Sequence, residues 1–432
     1  IFSFGKMILT IAKHTFREAI RKKIVHLLIG LGIIIIAISP YIPTTDEPDA
    51  KVKMIFVVFF QVVALLCTIG IILLSASSLP NEIEDKTIYG ILSKPVSRLK
   101  IVAGKIAGFS ALSALMVVVL GVINAAAIHQ AALRLPQDYS GIVKARSEFW
   151  ASQLSIQGDL HHSRQGIKWI EGGSTVVAVW HFSGLGNKGN GRLPFEAELA
   201  LKIENSRGLD EAVPLTVRVE NPATGLCKEQ IVSAREDVPL TVKIDPQILQ
   251  KSDAVNVSVF PIDKAHYVGA TQGNVKLYLV QERFAFNYAK ALAITFLKFV
   301  LIVAIGVMGS TYLSAPVSIA ATFVVFLCGH VLDFAKDFSL LIQHSNAHEE
   351  VIPGDVERPH AFLVFLDYLV RKPLEGLSVV LPDFKKFDSL KFLLKGIDIP
   401  WETVGFSFGY TALYAGVCLA ISSLLLKKRE FF

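Results

Sequence analysis

The stretch MIFVVFFQVVALLCTIGIILLSASSL, from Met54 to Leu79, carries no charged residue. A helix rises about 1.5 Å per residue and the hydrocarbon core of a bilayer is about 30 Å thick, so about 20 apolar residues are enough to cross it. This stretch therefore reads as a membrane-spanning helix. It is continuously apolar rather than alternating, which excludes a membrane β-barrel, whose strands alternate between lipid and lumen. Ile106–Ile128, Phe299–Leu332 and Val404–Leu426 are uncharged in the same way. Over all 432 residues the chain is 52% hydrophobic and 19% charged, with mean hydropathy +0.50. Ordinary soluble domains carry about a quarter charged residues. A soluble enzyme, a nucleic-acid-binding domain and a disordered chain are excluded.

The chain carries six such spans. The first runs from about Ile24 to Ile38 and ends at Ser39-Pro40. No small-residue cleavage site follows it, and the basic segment before it is long and patterned, so it is a retained helix rather than a signal peptide. The second is Met54–Ser78 and the third Ile106–Ile128. Phe299–Leu332 is too long for one span, and Ser310–Pro316 interrupts it, with Pro316 suited to open a new helix. The fourth span reaches back toward Lys290, which makes Lys298 the one charge inside a span. The fifth is about Val317–Phe334 and the sixth Val404–Leu426.

Lysine and arginine flank the spans unevenly. Lys6, Lys13, Arg17, Arg21, Lys22 and Lys23 precede the first, Lys86, Lys94, Arg98, Lys100 and Lys105 lie between the second and third, and Lys427, Lys428 and Arg429 follow the sixth. Six spans place all three clusters on one side, the cytoplasmic side by the positive-inside rule. Both termini are then cytoplasmic.

Two long segments fall outside. Residues 129–285 contain short β-type runs at Thr175–Phe182, Phe195–Glu204, Val213–Val219, Leu240–Ile244, Val255–Phe260 and Val275–Val280, separated by turns such as Asn221-Pro222 and Asp245-Pro246. That spacing predicts a β-sandwich or jelly roll. Residues 335–403 carry apolar-periodic pieces at Ala361–Val370 and Phe384–Leu394, expected as short helices on the membrane surface. The expected fold is an α-helical integral membrane protein with six transmembrane helices and an extracytoplasmic β-sandwich-like domain inserted between helices 3 and 4. Its parts are an amphipathic helix (1–23), helices 1–3 (24–128) with a cytoplasmic loop (79–105), the β-rich domain (129–285), helices 4–5 (286–334), the outer interfacial segment (335–403), and helix 6 with a basic tail (404–432).

Within this frame a few residues stand out. Ile8, Ile11, Ala12, Phe16, Ala19 and Ile20 share one helical face, and Lys13, Arg17, Arg21 and Lys22 project elsewhere. Such a basic amphipathic helix lies in the inner interface, against membrane lipid. It is either a topology anchor or an elbow that braces a transporter, and the spacing does not decide. The loop Leu79–Lys105 is acidic first, at Glu82, Glu84 and Asp85, then basic, and Pro80 and Pro95 bracket an expected short helix over Glu82–Leu92. By pattern alone it is a solvated connector. The alternative is a helix that receives force from a cytosolic partner.

The N-terminal IAKHTFREAIRKK (Ile11–Lys23), the loop LPNEIEDKTIYGILSKPVSRLKIVAGK (Leu79–Lys105), the hairpin GSTYLSAPVS (Gly309–Ser318) and the C-terminal LPDFKKFDSLKFLLKGIDIP (Leu381–Pro400) with KKREFF (Lys427–Phe432) resemble ABC-type export permeases of the type 2 superfamily, in the branch near multicopper-enzyme maturation permeases. The likeness covers all six spans in order. It implies a half-transporter subunit of a bacterial inner membrane, pairing with a second permease subunit as a homodimer or heterodimer, each docked on a cytosolic ABC ATPase. It implies that Arg17, Glu18 and Arg21 belong to an elbow helix. Glu82, Ile83, Glu84, Asp85, Lys86 and Thr87 would couple to the ATPase, and Pro95, Arg98, Gly104 and Lys105 would lead into span three. No residue of the chain is catalytic by this likeness, and ATP and Mg would sit on the partner subunit.

The sequence agrees in having no P-loop: Gly104-Lys105 is followed by Ile106, and Gly5-Lys6 by Met7, where a phosphate cradle requires Ser or Thr. Gly184-Leu-Gly186-Asn-Lys-Gly189 matches a dinucleotide fingerprint in letters, but a strand-like run follows it where the fingerprint needs a helix, so a hairpin loop is expected. His344 and His348 would share a helical face, with Glu349 and Glu350 adjacent, but a third ligand at fixed spacing is missing and no metal site is expected. Lys298 would either snorkel outward or face the bundle interior, where it would contact an anionic substrate or a lipid headgroup. Trp150, Trp169 and Trp180 fit a sugar platform or, more commonly, a sandwich core.

The function expected is the permease subunit of an exporter driven by a separate ATPase. The alternative is a non-transporting membrane scaffold or sensor whose outer domain binds a ligand or a periplasmic partner. Four cysteines, only Cys227 of them in a polar stretch, provide no disulfide framework.

Overall fold

The computed structural model describes residues 2–45, 49–86, 97–135, 142–158, 162–164, 167–185, 195–205, 212–235, 240–249, 254–264, 266–282, 284–345 and 381–428. The chain forms two compact units. The first takes Ile1–Ser140, Tyr288–Leu394 and Ile399–Phe432, and the second Gly141–Asn287 with Lys395–Asp398.

The first unit is helical. Helix α1 (Phe2–Arg21) buries Ala12, Thr15 and Ala19 and exposes Lys6, Lys13, His14, Arg17 and Arg21. The chain turns at Lys22, whose backbone is extended, into α2 (Lys23–Ile38), which ends in a tight turn at Ser39–Tyr41 where Pro40 removes a backbone donor. The next rod consists of α3 (Ala50–Val57), a π-helical turn at Val58–Val63 and α4 (Ala64–Ala76). After Ser77 it continues as α5 (Ser78–Glu84) and stops at Lys86, whose φ of 58° lies in the left-handed region. Of the helix expected over Glu82–Leu92, Glu82–Glu84 lie in α5, and residues 87–96 lie outside the described residues. Helix α6 (Arg98–Ala132) begins earlier than the apolar run suggested, because no proline lies between Arg98 and Ile106 and the one glycine, Gly104, is tolerated within a helix. Lys105 is thus drawn into a long helix.

Helix α7 (Phe284–Ser310) and α8 (Ala315–Ser345) are joined by a turn over Thr311–Ser314, with Pro316 in the first turn of α8. The piece expected as one helix over Phe384–Leu394 is instead a single turn at Phe384–Phe387 and a short α9 (Leu390–Leu394), each opened by an aspartate. Asp383 accepts from the Lys385 amide at 3.0 Å and Asp388 from the Leu390 amide at 3.1 Å. Ala361–Val370 lies outside the described residues. Helix α10 (Trp401–Lys428) closes the unit. Among the described residues, Lys23–Tyr41, Ala50–Glu84, Arg98–Ala132, Phe284–Ser310 and Trp401–Leu426 are long and apolar enough to cross a membrane, and Ala315–His330 is a shorter apolar helix.

The second unit is built of antiparallel strands. One sheet has the order β1 (Ala145–Trp150), β13 (Val275–Glu282), β6 (Phe195–Leu199), β10 (Leu240–Ile244). A five-stranded sheet has the order β2 (Gln153–Gln157), β5 (Val177–Ser183), β11 (Ala254–Pro261), β8 (Val213–Glu220), β9 (Cys227–Ala234). A third has β3 (His162–Arg164), β4 (Ile167–Glu171), β12 (His266–Ala270), β7 (Lys202–Asn205). Alternate residues such as Leu215, Val217 and Val219, or Val255, Val257 and Val259, enter one shared apolar core with Trp180, Phe182, Ile203, Leu277 and Leu279. The arrangement is β-sandwich-like. The run Phe195–Glu204 is two strands of different sheets, divided at Ala200, whose amide bonds to Asn274 O. Residues 395–398 edge the first sheet: Arg146 N donates to Gly396 O at 2.9 Å, and Asp398 N to Arg146 O at 2.8 Å.

Candidate coupling site

Helix α1 packs against α6 at two glycines one turn apart, Gly104 and Gly108. A Cβ on Gly104 would stand 2.6 Å from Ile11 Cγ2, and one on Gly108 would stand 2.7 Å from Ala12 O. Small residues at this spacing let two helix backbones approach closely, and in lipid such packing is a main source of helix association.

Lys105 lies between these glycines in sequence and is fully buried, with 1% exposure. Its Nζ donates to Ser78 Oγ at 2.8 Å and to Glu82 Oε1 at 2.5 Å. The Glu82 side chain is itself only 13% exposed. The six residues expected to face the ATPase are therefore divided. Glu82 turns inward onto Lys105, and Ile83 is half-buried. Glu84, Asp85 and Lys86 are exposed at the corner where the helix stops, and Thr87 lies outside the described residues. Of the residues expected in an elbow helix, Arg17 and Arg21 are exposed, and Glu18 stands 3.9 Å from Lys22, a partly exposed pair that contributes little.

Lys298 is not the one charge within a long apolar helix. Lys105 and Lys290 are both buried. Lys290 Nζ donates to Ile399 O at 3.2 Å and lies 4.9 Å over the Trp401 ring. Lys298 Nζ is 3.3 Å from His330 Nε2. The His330 Nδ1–H donates to Phe326 O at 3.0 Å, which leaves Nε2 as the acceptor for Lys298. The His330 ring stacks on Phe384, with centroids 5.3 Å apart and planes 17° from parallel. Sequence reasoning missed His330 because it lies in a run that counts as uncharged. It also missed Lys105, which was assigned to the positive loop. The one available signal was Lys105's place seven residues past Arg98 in a stretch with no proline.

The other sequence candidates are scattered. Trp180 is buried, Trp169 half-buried and Trp150 exposed, and they lie in three different sheets. Gly184 has a positive φ of 81°, and the rest of the GxGxxG stretch from residue 186 on lies outside the described residues. Among the described residues, no group of three or more His, Cys, Asp or Glu is placed to hold a metal. His344 lies in α8, while His348, Glu349 and Glu350 lie outside the described residues.

Long apolar helices make this a multi-pass membrane protein. Residues 9–144 match the family described as ABC-2 family transporter protein, from within α1 to the residue before β1, which supports an ABC-2 type permease. Permeases of this family are membrane components that work with an ATPase subunit. No curated protein is a detectable relative of the chain. Among solved structures it is similar to the CBM22-1 xylan-binding domain of Paenibacillus barcinonensis Xyn10C, at 15% identity over 33% of this chain and 92% of that one, with a TM-score of 0.19. It is also similar to the CBM22-1-GH10 modules of Clostridium thermocellum xylanase Xyn10B, at 9% identity over 32% of this chain and 28% of that one, with a TM-score of 0.18.

Proposed function

We propose that this chain is the transmembrane subunit of an ATP-driven exporter, with ATP and Mg held by a separate cytosolic ATPase. Two such subunits, identical or not, would form the pathway in a bacterial inner membrane. Six spans, counting Ala315–His330 as the fifth, would place both termini in the cytoplasm and the β-rich unit outside, where it would meet a ligand or a periplasmic partner. Lys298 would contact an anionic group of the cargo or a lipid.

The observation that supports this reading best is the exposed corner Glu84-Asp85-Lys86. It ends a helix continuous with a long apolar rod and lies within the stretch matched to the permease family. A charged corner at the end of a long helical rod suits the transfer of a partner's motion to a span. Affinity purification from gently solubilised membranes, with partner identification and an ATPase assay, tests it. A P-loop ATPase should copurify, and the double reversal Glu84→Lys with Asp85→Lys should release it. A chain that assembles stably with no nucleotide dependence would instead be a scaffold.

A further inference from the structure

We infer that Glu82 and Lys105 are positioning residues that lock α5 to α6, so that the ATPase-facing corner, span three and the elbow helix move as one body. The inference rests on the permease reading and reassigns Glu82 within it, from a contact of the ATPase to an internal link.

The observations are independent of the family likeness. Lys105 Nζ is closed off from solvent and has two acceptors on one short helix, Ser78 Oγ at 2.8 Å and Glu82 Oε1 at 2.5 Å. Removing one member of a buried ion pair leaves an uncompensated charge, so the arrangement resists any sliding of α5 past α6 that would separate them. On the neighbouring turns of α6, Gly104 and Gly108 hold α1 so closely that even a Cβ would collide with Ile11 and the Ala12 carbonyl. Two elements thus converge on Gly104–Gly108 of α6, α5 through an ion pair and α1 through backbone proximity. Two residues past Glu82 the side chains of Glu84, Asp85 and Lys86 face outward. A push delivered to that corner reaches α6 through Lys105.

The test compares Glu82→Lys, Lys105→Glu and the swapped double variant in the purified permease–ATPase complex. Each single variant should still capture the ATPase, but its nucleotide turnover stimulated by the permease should fall on the order of tenfold, within the ordinary range of coupling between two sites. The swap should recover most of that loss, and Lys105→Arg, which keeps the charge, should retain most of the wild-type turnover. If Glu82→Lys releases the ATPase and the swap does not restore capture, Glu82 is a docking residue and the inference fails. If the wild-type permease captures no ATPase, the permease reading fails, and the link is still read from thermal unfolding of the solubilised chain. There the swap should recover the midpoint lost in both single variants, and additive losses would overturn the pair.

Discussion

Gly108 of α6 lies against the backbone of Ala12 in α1: a Cβ there would stand 2.7 Å from the Ala12 carbonyl oxygen and 2.7 Å from Thr15 Cβ. Neither atom belongs to a flexible side-chain end, so the helices themselves would have to separate. Gly108→Leu should destabilise the helical unit by about 1–3 kcal/mol, the usual cost of overpacking, and should expose α1 to protease in detergent. Gly30 of α2 has nothing within 4 Å of its own notional Cβ. Gly30→Ala should therefore be neutral or stabilising by up to about 1 kcal/mol through helix propensity. Equal losses in the two variants would mean that the α1–α6 contact is not close-packed.

Arg146 ties the edge of the β-rich unit together. Its guanidinium donates to Glu196 Oε2 at 2.8 Å and to Lys395 O at 2.6 Å, and lies 4.7 Å over the Tyr278 ring. The Tyr278 hydroxyl is held well above its ordinary pKa, chiefly by burial and then by the Glu198 and Glu148 carboxylates, with Arg146 opposing. Arg146→Met removes the partner of a carboxylate that is only 12% exposed. The cost should be about 3 kcal/mol, the lower end for breaking a buried pair. Hydrogen exchange at the Asp398 amide, which bonds to Arg146 O, should quicken. Arg146→Met with Glu196→Gln should recover part of the loss, and a fully additive double variant would argue against the pair.

The spans were legible because their signal is mere length without charge, and burial in lipid or protein asks for the same residues. The strands β5, β8, β11 and β13 were legible because each sends alternate residues into the core. Strand β9 was not. Its residues Cys227–Ile231 are all exposed on a sheet edge, so CKEQI carries no period-two pattern. Strand β3, with three residues, offered too few to count. The candidate site was half legible. The acidic cluster at 82–85 can be seen in the sequence, but which carboxylate turns inward depends on where α5 stops and on Lys105 being drawn into α6. Both are tertiary facts.

Trp180 and Trp150 should behave oppositely. Trp180 is fully buried and its Nε1 donates to Thr271 O at 2.9 Å. Trp180→Phe keeps a ring but loses this hydrogen bond, while Thr271 O still accepts from the Asn274 amide at 3.2 Å, and with the smaller ring the change should cost about 1–2 kcal/mol. Trp150 is 57% exposed with Lys276 Nζ 4.0 Å over its ring. Trp150→Ala should cost no more than about 1 kcal/mol, the worth of an exposed cation–π contact. Thermal unfolding of the two variants checks the contrast. A large loss from Trp150→Ala would mean that this face is covered in the assembled protein.

Lys298 and His330 yield an asymmetric prediction. Lys298→Met removes a charge from within an apolar helix, where insertion scales set the penalty at about 2.5–3.5 kcal/mol, and leaves His330 still bonded to Phe326 O and stacked on Phe384. Its unfolding midpoint should be unchanged or higher. His330→Leu takes the acceptor from Lys298 and the stacking partner from Phe384, and should cost about 1–3 kcal/mol. Gly329 already lets that segment in, since a Cβ there would stand 2.6 Å from Phe384 Cδ2. The double variant should be more stable than His330→Leu alone, because the stranded ammonium is gone. If Lys298→Met destabilises as much as His330→Leu, the lysine is held by more than the imidazole. If it leaves the midpoint unchanged but lowers transport, Lys298 touches the cargo.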